Sequence, residues 1–175
     1  MRVLAVDTAT PYLVLGTPEA ELAFRAERRH NELLAPVLVR FLERSGLALK
    51  ELEGVVAGQG PGSYTGLRVG LAFAQGLARA LGVPFVGVDT LAGVAARYRY
   101  GGRVAVGLSA RNRLVYAALY DGDARLRGPE KLTAEAFAAL APCRVLDAPP
   151  SGRALARLGA QALTRGARGF HAHYL

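Results

Sequence analysis

The sequence predicts an α/β protein: a mixed five-stranded sheet flanked by helices, followed by a second and shorter round of the same pattern. Three observations predict it. Residues 2–29 hold three short apolar or alternating runs with no helical period between them, as antiparallel strands require. From residue 30 to 97 helical and strand-like runs alternate, which calls for parallel strands joined by right-handed crossovers. After Gly101-Gly102 a strand pair, a helix, a short strand and a last helix repeat the order more faintly. A length of 175 residues suits one sizeable core or two small lobes, and the pattern divides the chain at 1–100 and 101–175.

Arg2–Asp7 is a compact apolar strand and Tyr12–Gly16 a second. Glu21–Arg28 sets Leu22, Phe24 and Ala26 against charged neighbours, as a half-buried edge strand does. Asp7-Thr8-Ala9-Thr10-Pro11 forms the first turn; a carboxylate with two hydroxyls there suits metal-phosphate binding, and the same residues are ordinary turn formers. His30–Ser45 is an amphipathic helix with Leu34, Leu38, Phe41 and Leu42 on one face, and Pro36 either fits its first turn or kinks it. Leu52–Ala57 rises into a strand that ends in Gly58-Gln59-Gly60-Pro61-Gly62-Ser63-Tyr64-Thr65. There Gly60 and Gly62 permit positive φ or close approach, and Ser63 or Thr65 can cap the next helix. Free amides converging at its positive end can hold an anion.

That helix, Thr65–Leu81, is more apolar than one sheet face requires. Gly66, Gly70, Ala74 and Ala78 form a row with almost no side chain, while Leu67, Val69, Leu71, Phe73, Leu77 and Leu81 cover most of the remaining circumference. Arg68, Gln75 and Arg79 make a narrow polar stripe. One reading buries the helix between its own sheet and a neighbouring helix. The other, preferred for so short a chain, makes the small row a docking surface for another subunit. Phe85–Val88 is the next strand, and a helix through Arg97 is capped by Asp89 or Thr90. Val104–Leu108 and Leu114–Tyr120 pair around Arg111-Asn112-Arg113, and Asp121-Gly122-Asp123 turns the chain. Thr133 caps a further helix, Arg144–Leu146 is a short strand, and Gly152–Thr164 is the last helix before a basic tail.

Composition excludes several classes. Hydrophobic residues at 51% and charged residues at 21% give an ordered globular protein. No apolar run approaches the roughly 18 residues of a membrane span, and the N-terminus turns acidic at Asp7 too soon for a secretory leader. Cys143 alone forms no internal disulfide and no cysteine zinc cluster, reads as core filler, and leaves the cytoplasm as the expected compartment. A metallopeptidase needs His-x-x-x-His on one helical face, and His30, His171 and His173 provide none, so neither a metal nor another cofactor is expected. A phosphotransferase or ATPase would use Asp7 for Mg²⁺ or water and the amides of Gly60, Gly62 and Thr65 for phosphate. The loop matches neither G-x-x-x-x-G-K-[ST] nor G-x-G-x-x-G, and no lysine follows it; this class stays as the alternative. The formal charge of +8 is carried by arginines, with Arg97, Arg99, Arg103, Arg111 and Arg113 in one stretch and Arg153, Arg157, Arg165 and Arg168 in another. Such stretches suit nucleic acid or another acidic partner, or else are solvated surface.

The element order resembles the actin-like ATPase (ribonuclease H-like) fold of sugar kinases and the heat-shock 70 class, where the first strand turn supplies an acidic residue on the phosphate side; Asp7 stands there. Val6-Asp7-Thr8-Ala9-Thr10, His30-Asn31-Glu32 and above all Gly58 to Arg68 resemble the TsaB (YeaZ) family, over about residues 1–120. The resemblance implies a non-catalytic relative of TsaD that pairs with it to make threonylcarbamoyladenosine in tRNAs reading codons that begin with adenine. It also implies TsaE in a ternary complex, a homodimer when alone, tRNA reached through the complex, and no membrane. The family's pairing surface lies on the helices equivalent to His30–Ser45 and Thr65–Leu81, which puts Leu34, Leu38, Gly66, Arg68, Val69, Gly70, Phe73, Ala74, Leu77 and Ala78 at the interface. Asp7, Thr8, Gly60, Gly62, Ser63 and Thr65 are the candidate anion or nucleotide corner. Two departures stand out: Ser109 replaces an acidic residue usual in the family, and the second lobe and tail are short. With no room for a glycine-rich adenosine pocket, nucleotide binding is expected to be weak or absent.

Overall fold

Strand β1 (Val3–Asp7) is apolar except at its last residue and buried at all five positions, and it occupies the middle of a five-stranded sheet ordered β3-β2-β1-β4-β5. β2 (Tyr12–Gly16) and β3 (Glu21–Arg25) pair antiparallel outward from one side. β4 (Gly54–Gly58) and β5 (Phe85–Val88) pair parallel on the other. The computed structural model describes residues 1–98 and 101–172, so Arg99 and His173 lie outside the described residues.

Alternation decides what covers each face. Leu4, Val6, Leu13 and Leu15 meet Leu34, Leu38, Phe41 and Leu42 of α1 (His30–Arg44). Val55 and Ala57 meet Leu67, Leu71, Ala74 and Ala78 of α2 (Tyr64–Leu81) on the same side. Pro36 falls beyond the first turn of α1, on its exposed side, so the carbonyl it leaves unpaired faces solvent rather than core.

Helix α3 (Thr90–Arg97) leads to a second sheet, β8-β7-β6-β9, built from β6 (Arg103–Ser109), β7 (Leu114–Asp121), β8 (Ala124–Thr133) and β9 (Cys143–Leu146). Val104, Val106, Leu108, Ala118 and Tyr120 pack on Leu91, Val94 and Ala95 of α3. The other face, with Ala105, Val115 and Ala117, is closed by Phe137 of the short α4 (Ala134–Ala138).

One strand is new here and two expectations change. β8 is a strand to which the sequence reading assigns no element; it is an exposed edge with two register irregularities against β7. Cys143 is exposed on the other edge strand instead of filling core. The last helix, α5 (Gly152–Thr164), returns across the proposed boundary at residue 100: Leu155, Ala156 and Leu163 cover Val3, Ala5, Val56 and Val86 on the bare face of the first sheet. The chain then continues to the edge of β5, where the Gly87 N–H donates to the Gly169 carbonyl at 2.8 Å and Phe170 packs edge-on to Phe85.

Candidate functional site

The glycine loop is built around Asp7. This residue is 0% exposed; one carboxylate oxygen accepts from the Ala9 N–H at 2.8 Å and the other from the Thr90 hydroxyl at 2.7 Å. Thr90 in turn accepts from the Gly60 N–H at 3.1 Å and returns its own N–H to the Gly60 carbonyl at 2.9 Å, so the loop is tied to the start of α3. Burial pushes the Asp7 carboxyl up to about 6, against the pull of the Thr90 and Ala9 bonds and with a smaller push from Asp89. Gly58 is required because a Cβ there would overlap the Asp7 carboxylate.

This geometry corrects the expected anion corner. Asp7 and Thr8 are sealed from solvent, and the Thr8 hydroxyl donates to the Gly66 carbonyl at 2.7 Å. The amide of Gly60 is taken by Thr90, and that of Ser63 by the Ala9 carbonyl at 2.7 Å. Of the two cap candidates it is Ser63 that accepts from the Gly66 N–H, at 3.3 Å. Asp7, Thr8, Gly60 and Ser63 therefore hold the loop rather than a phosphate. Gly62, Ser63 and Thr65 border an open cleft between the two lobes.

The small row of α2 also points inward. A Cβ on Gly66 or Gly70 would overlap Thr8, and Ala74 and Ala78 are buried against Val55 and Ala57. Together with buried Leu34 and Leu38, six of the ten interface candidates belong to the core. The physical reason is the first turn, which runs beneath α2 and leaves no room for side chains. Outward on α2 stand exposed Arg68, Ala72 and Gly76, flanked by half-buried Val69, Phe73 and Leu77. Half-buried Leu33 and Val37 of α1 pack with those residues on the same core cluster. Ala72, Gly76 and Val37 escaped the sequence reading, although Arg68, Ala72, Gly76 and Ala80 recur at the same spacing of four as the inner row.

The lobes are clasped by Asp89. One oxygen caps α3 through the Leu91 N–H at 2.8 Å, and the other accepts from the Tyr120 hydroxyl at 3.2 Å and from Arg125 at 2.7 Å. Burial, and then the Asp89 charge, push the Tyr120 hydroxyl far above its ordinary value. Ser109 donates its N–H and hydroxyl to Asp147, so a carboxylate from beyond β9 stands beside the position where the resemblance leads one to expect an acid. Two of the basic stretches also resolve. Arg97 and Arg153 lie 3.3 Å and 3.9 Å from Glu21, whose carboxyl burial would raise but which the Ser151 hydroxyl, the Arg153 amide and both guanidinium groups hold below its ordinary range. Arg157 donates to the Pro18 carbonyl, whereas Arg111 and Arg113 stand at the β6–β7 hairpin. Among the described residues no group of three or more metal-ligating side chains occurs, and no helix is long and apolar enough to cross a membrane.

Residues 24–171 match the family model described as TsaD, tRNA N6-adenosine threonylcarbamoyltransferase. The tRNA threonylcarbamoyladenosine biosynthesis protein TsaB of Escherichia coli is 37% identical over 131 residues, 70% of this chain and 56% of that protein. Its namesake from Bacillus subtilis is 32% identical over 69% of this chain and 55% of its own length, so the chain spans just over half of these curated relatives. Among solved structures, a Pseudomonas aeruginosa protein described as similar to peptidase YeaZ superposes with a TM-score of 0.79 at 28% identity, covering 96% of this chain and 94% of that one. YeaZ from the same organism superposes with a TM-score of 0.76 at 30% identity, covering 94% and 93%. Agreement over nearly the full length of both partners, in the actin-like arrangement of two sheets described above, settles the relationship: the chain belongs to the TsaB (YeaZ) family of TsaD relatives.

Proposed function

We propose that this protein is a non-catalytic partner subunit that pairs with a TsaD-type protein in the synthesis of threonylcarbamoyladenosine in tRNA. The observation that carries this reading is the outer face of α2, where half-buried Val69, Phe73 and Leu77 lie beside exposed Ala72 and Gly76, with Leu33 and Val37 of α1 on the same core cluster. Gly76 sits mid-helix, exposed, with nothing within 4 Å of where a Cβ would be. A helix-interior glycine costs about 1 kcal/mol relative to alanine, and nothing within the chain offsets it. Close approach of another backbone would. The half-buried side chains beside it supply apolar area worth about 25 cal/mol per Å² once covered. Relatives named as TsaB biosynthesis proteins support the pathway. In the same reading the protein works in the cytoplasm, forms a homodimer through this face when alone, admits TsaE to a ternary complex, and meets tRNA within the assembly. The ATPase alternative is disfavoured because Asp7, the residue it would rely on, is fully buried and bonded to Thr90 and Ala9.

Sedimentation of wild type and Gly76→Arg, alone and with a TsaD-type protein, tests the face. Wild type should form both a homodimer and a heterodimer, and Gly76→Arg should remain a folded monomer that forms neither. A wild type that stays monomeric and ignores the TsaD-type protein would remove the basis for this function.

A further inference from the structure

The cleft between the lobes has a volume of about 980 Å³, at the upper end of small-ligand sites. Three cations reach it from three separate elements: Arg25 from the end of β3, Arg111 from the β6–β7 hairpin and Lys131 from β8. Among the described residues the one acid in its lining is Asp147, and Ser109 already donates to both of its oxygens. Arg25 is paired with Glu27, while Arg111 and Lys131 have no carboxylate partner among the described residues. Three of the chain's seven tyrosines, Tyr12, Tyr64 and Tyr116, line the same space. Tyr64 is 60% exposed, with the Arg68 guanidinium 5.4 Å from its ring centroid, and the Lys131 ammonium lies 5.4 Å from that of Tyr116. Flat aromatic faces interleaved with cations are what unpaired nucleic acid requires, since bases stack on the rings while phosphates meet the charges.

We propose that this cleft binds unpaired RNA nucleotides, with phosphates held by Arg111, Lys131 and Arg25 and a base laid on Tyr64. A chain of phosphates fits better than one compact polyphosphate. The cations are spread over separate elements of the wall, whereas the amides of Gly60 and Ser63, which a compact polyphosphate in the glycine loop would need, are already bonded to Thr90 and Ala9. The cleft's own chemistry selects nucleotides; that they belong to a tRNA rests on the proposed function above.

Fluorescence anisotropy with a labelled single-stranded oligoribonucleotide provides the test, using the full chain and checking each variant by thermal melting. Arg111→Glu combined with Lys131→Glu should weaken binding about tenfold or more, and should lower the slope of log affinity against log salt by roughly 1.4, or 0.7 for each phosphate no longer neutralised. Tyr64→Ala should weaken binding about fivefold or more, and Tyr64→Phe should restore it because the ring remains. Three results would each overturn the proposal: no binding by wild type, binding unchanged in the charge and Tyr64→Ala variants, or full competition by AMP or ATP at matched nucleotide concentration. Sedimentation of the same variants with the TsaD-type protein separates the two hypotheses, because pairing through α1 and α2 should survive changes in this cleft.

Discussion

Asp7 illustrates how a residue can keep the position its fold prescribes and lose the chemistry. Its neighbours supply two donors, Thr90 and Ala9, and its carboxyl is lifted from an ordinary 3.8 to about 6. A raised acid holds its proton more tightly in the folded state. Its contribution to stability is therefore fully present below pH 3.8 and is lost as pH rises through 6, a difference of roughly 3 kcal/mol. Asp7→Asn is neutral throughout and should remove this dependence. In urea unfolding at about pH 4 and pH 7, the variant should gain on wild type by roughly 2 to 3 kcal/mol between the two conditions; a difference that stays constant would mean the carboxyl is not perturbed in this direction. The sequence showed where Asp7 would stand. It did not show Thr90 as its partner, because a hydroxyl 83 positions away reads locally as nothing more than a helix start.

At the scale of the element, α2 carries two rows of small residues that do opposite things. The inner one lets the helix settle onto the first turn, with Gly66 and Gly70 over Thr8. The outer one, with Ala72 and Gly76, stands exposed, and a Cβ on Gly76 would meet nothing among the described residues. Gly70→Leu should consequently lower the melting temperature through overpacking of roughly 1 to 3 kcal/mol, with the oligomeric state of the surviving folded protein unchanged. If that variant melted like wild type and turned monomeric, the inner row would have to face outward after all. The period of four was legible in the sequence; its direction was not. A run of residues without side chains says that something approaches closely, and here the approaching group is Thr8, 58 positions upstream of Gly66. β8 was hidden for a different reason: the alternation of Ala124 and Leu126 with Arg125 and Arg127 stops at Gly128-Pro129, and the rest of this exposed edge is held by backbone pairing with β7.

For the whole molecule, the order of elements and the mixed first sheet followed from the sequence, while the destination of α5 did not. An amphipathic helix announces that it will cover a surface without saying which one, and α5, although it follows the second sheet along the chain, covers the first. Ser151 and the Arg153 amide fasten its start to Glu21, and the tail fastens its far side to β5. A fragment ending at residue 100 should accordingly lack protected amides in β1 and β4 by hydrogen exchange, because Val3, Ala5 and Val56 would lie open to water. Protection in that fragment equal to the full chain's would make α5 dispensable. This return of the chain also bears on synthesis. As the polypeptide leaves the ribosome, β1 and β4 emerge well before α5 and keep one face uncovered until Gly152–Thr164 has cleared the exit tunnel, so that in the interval the nascent chain presents a sticky apolar sheet for chaperones to shield.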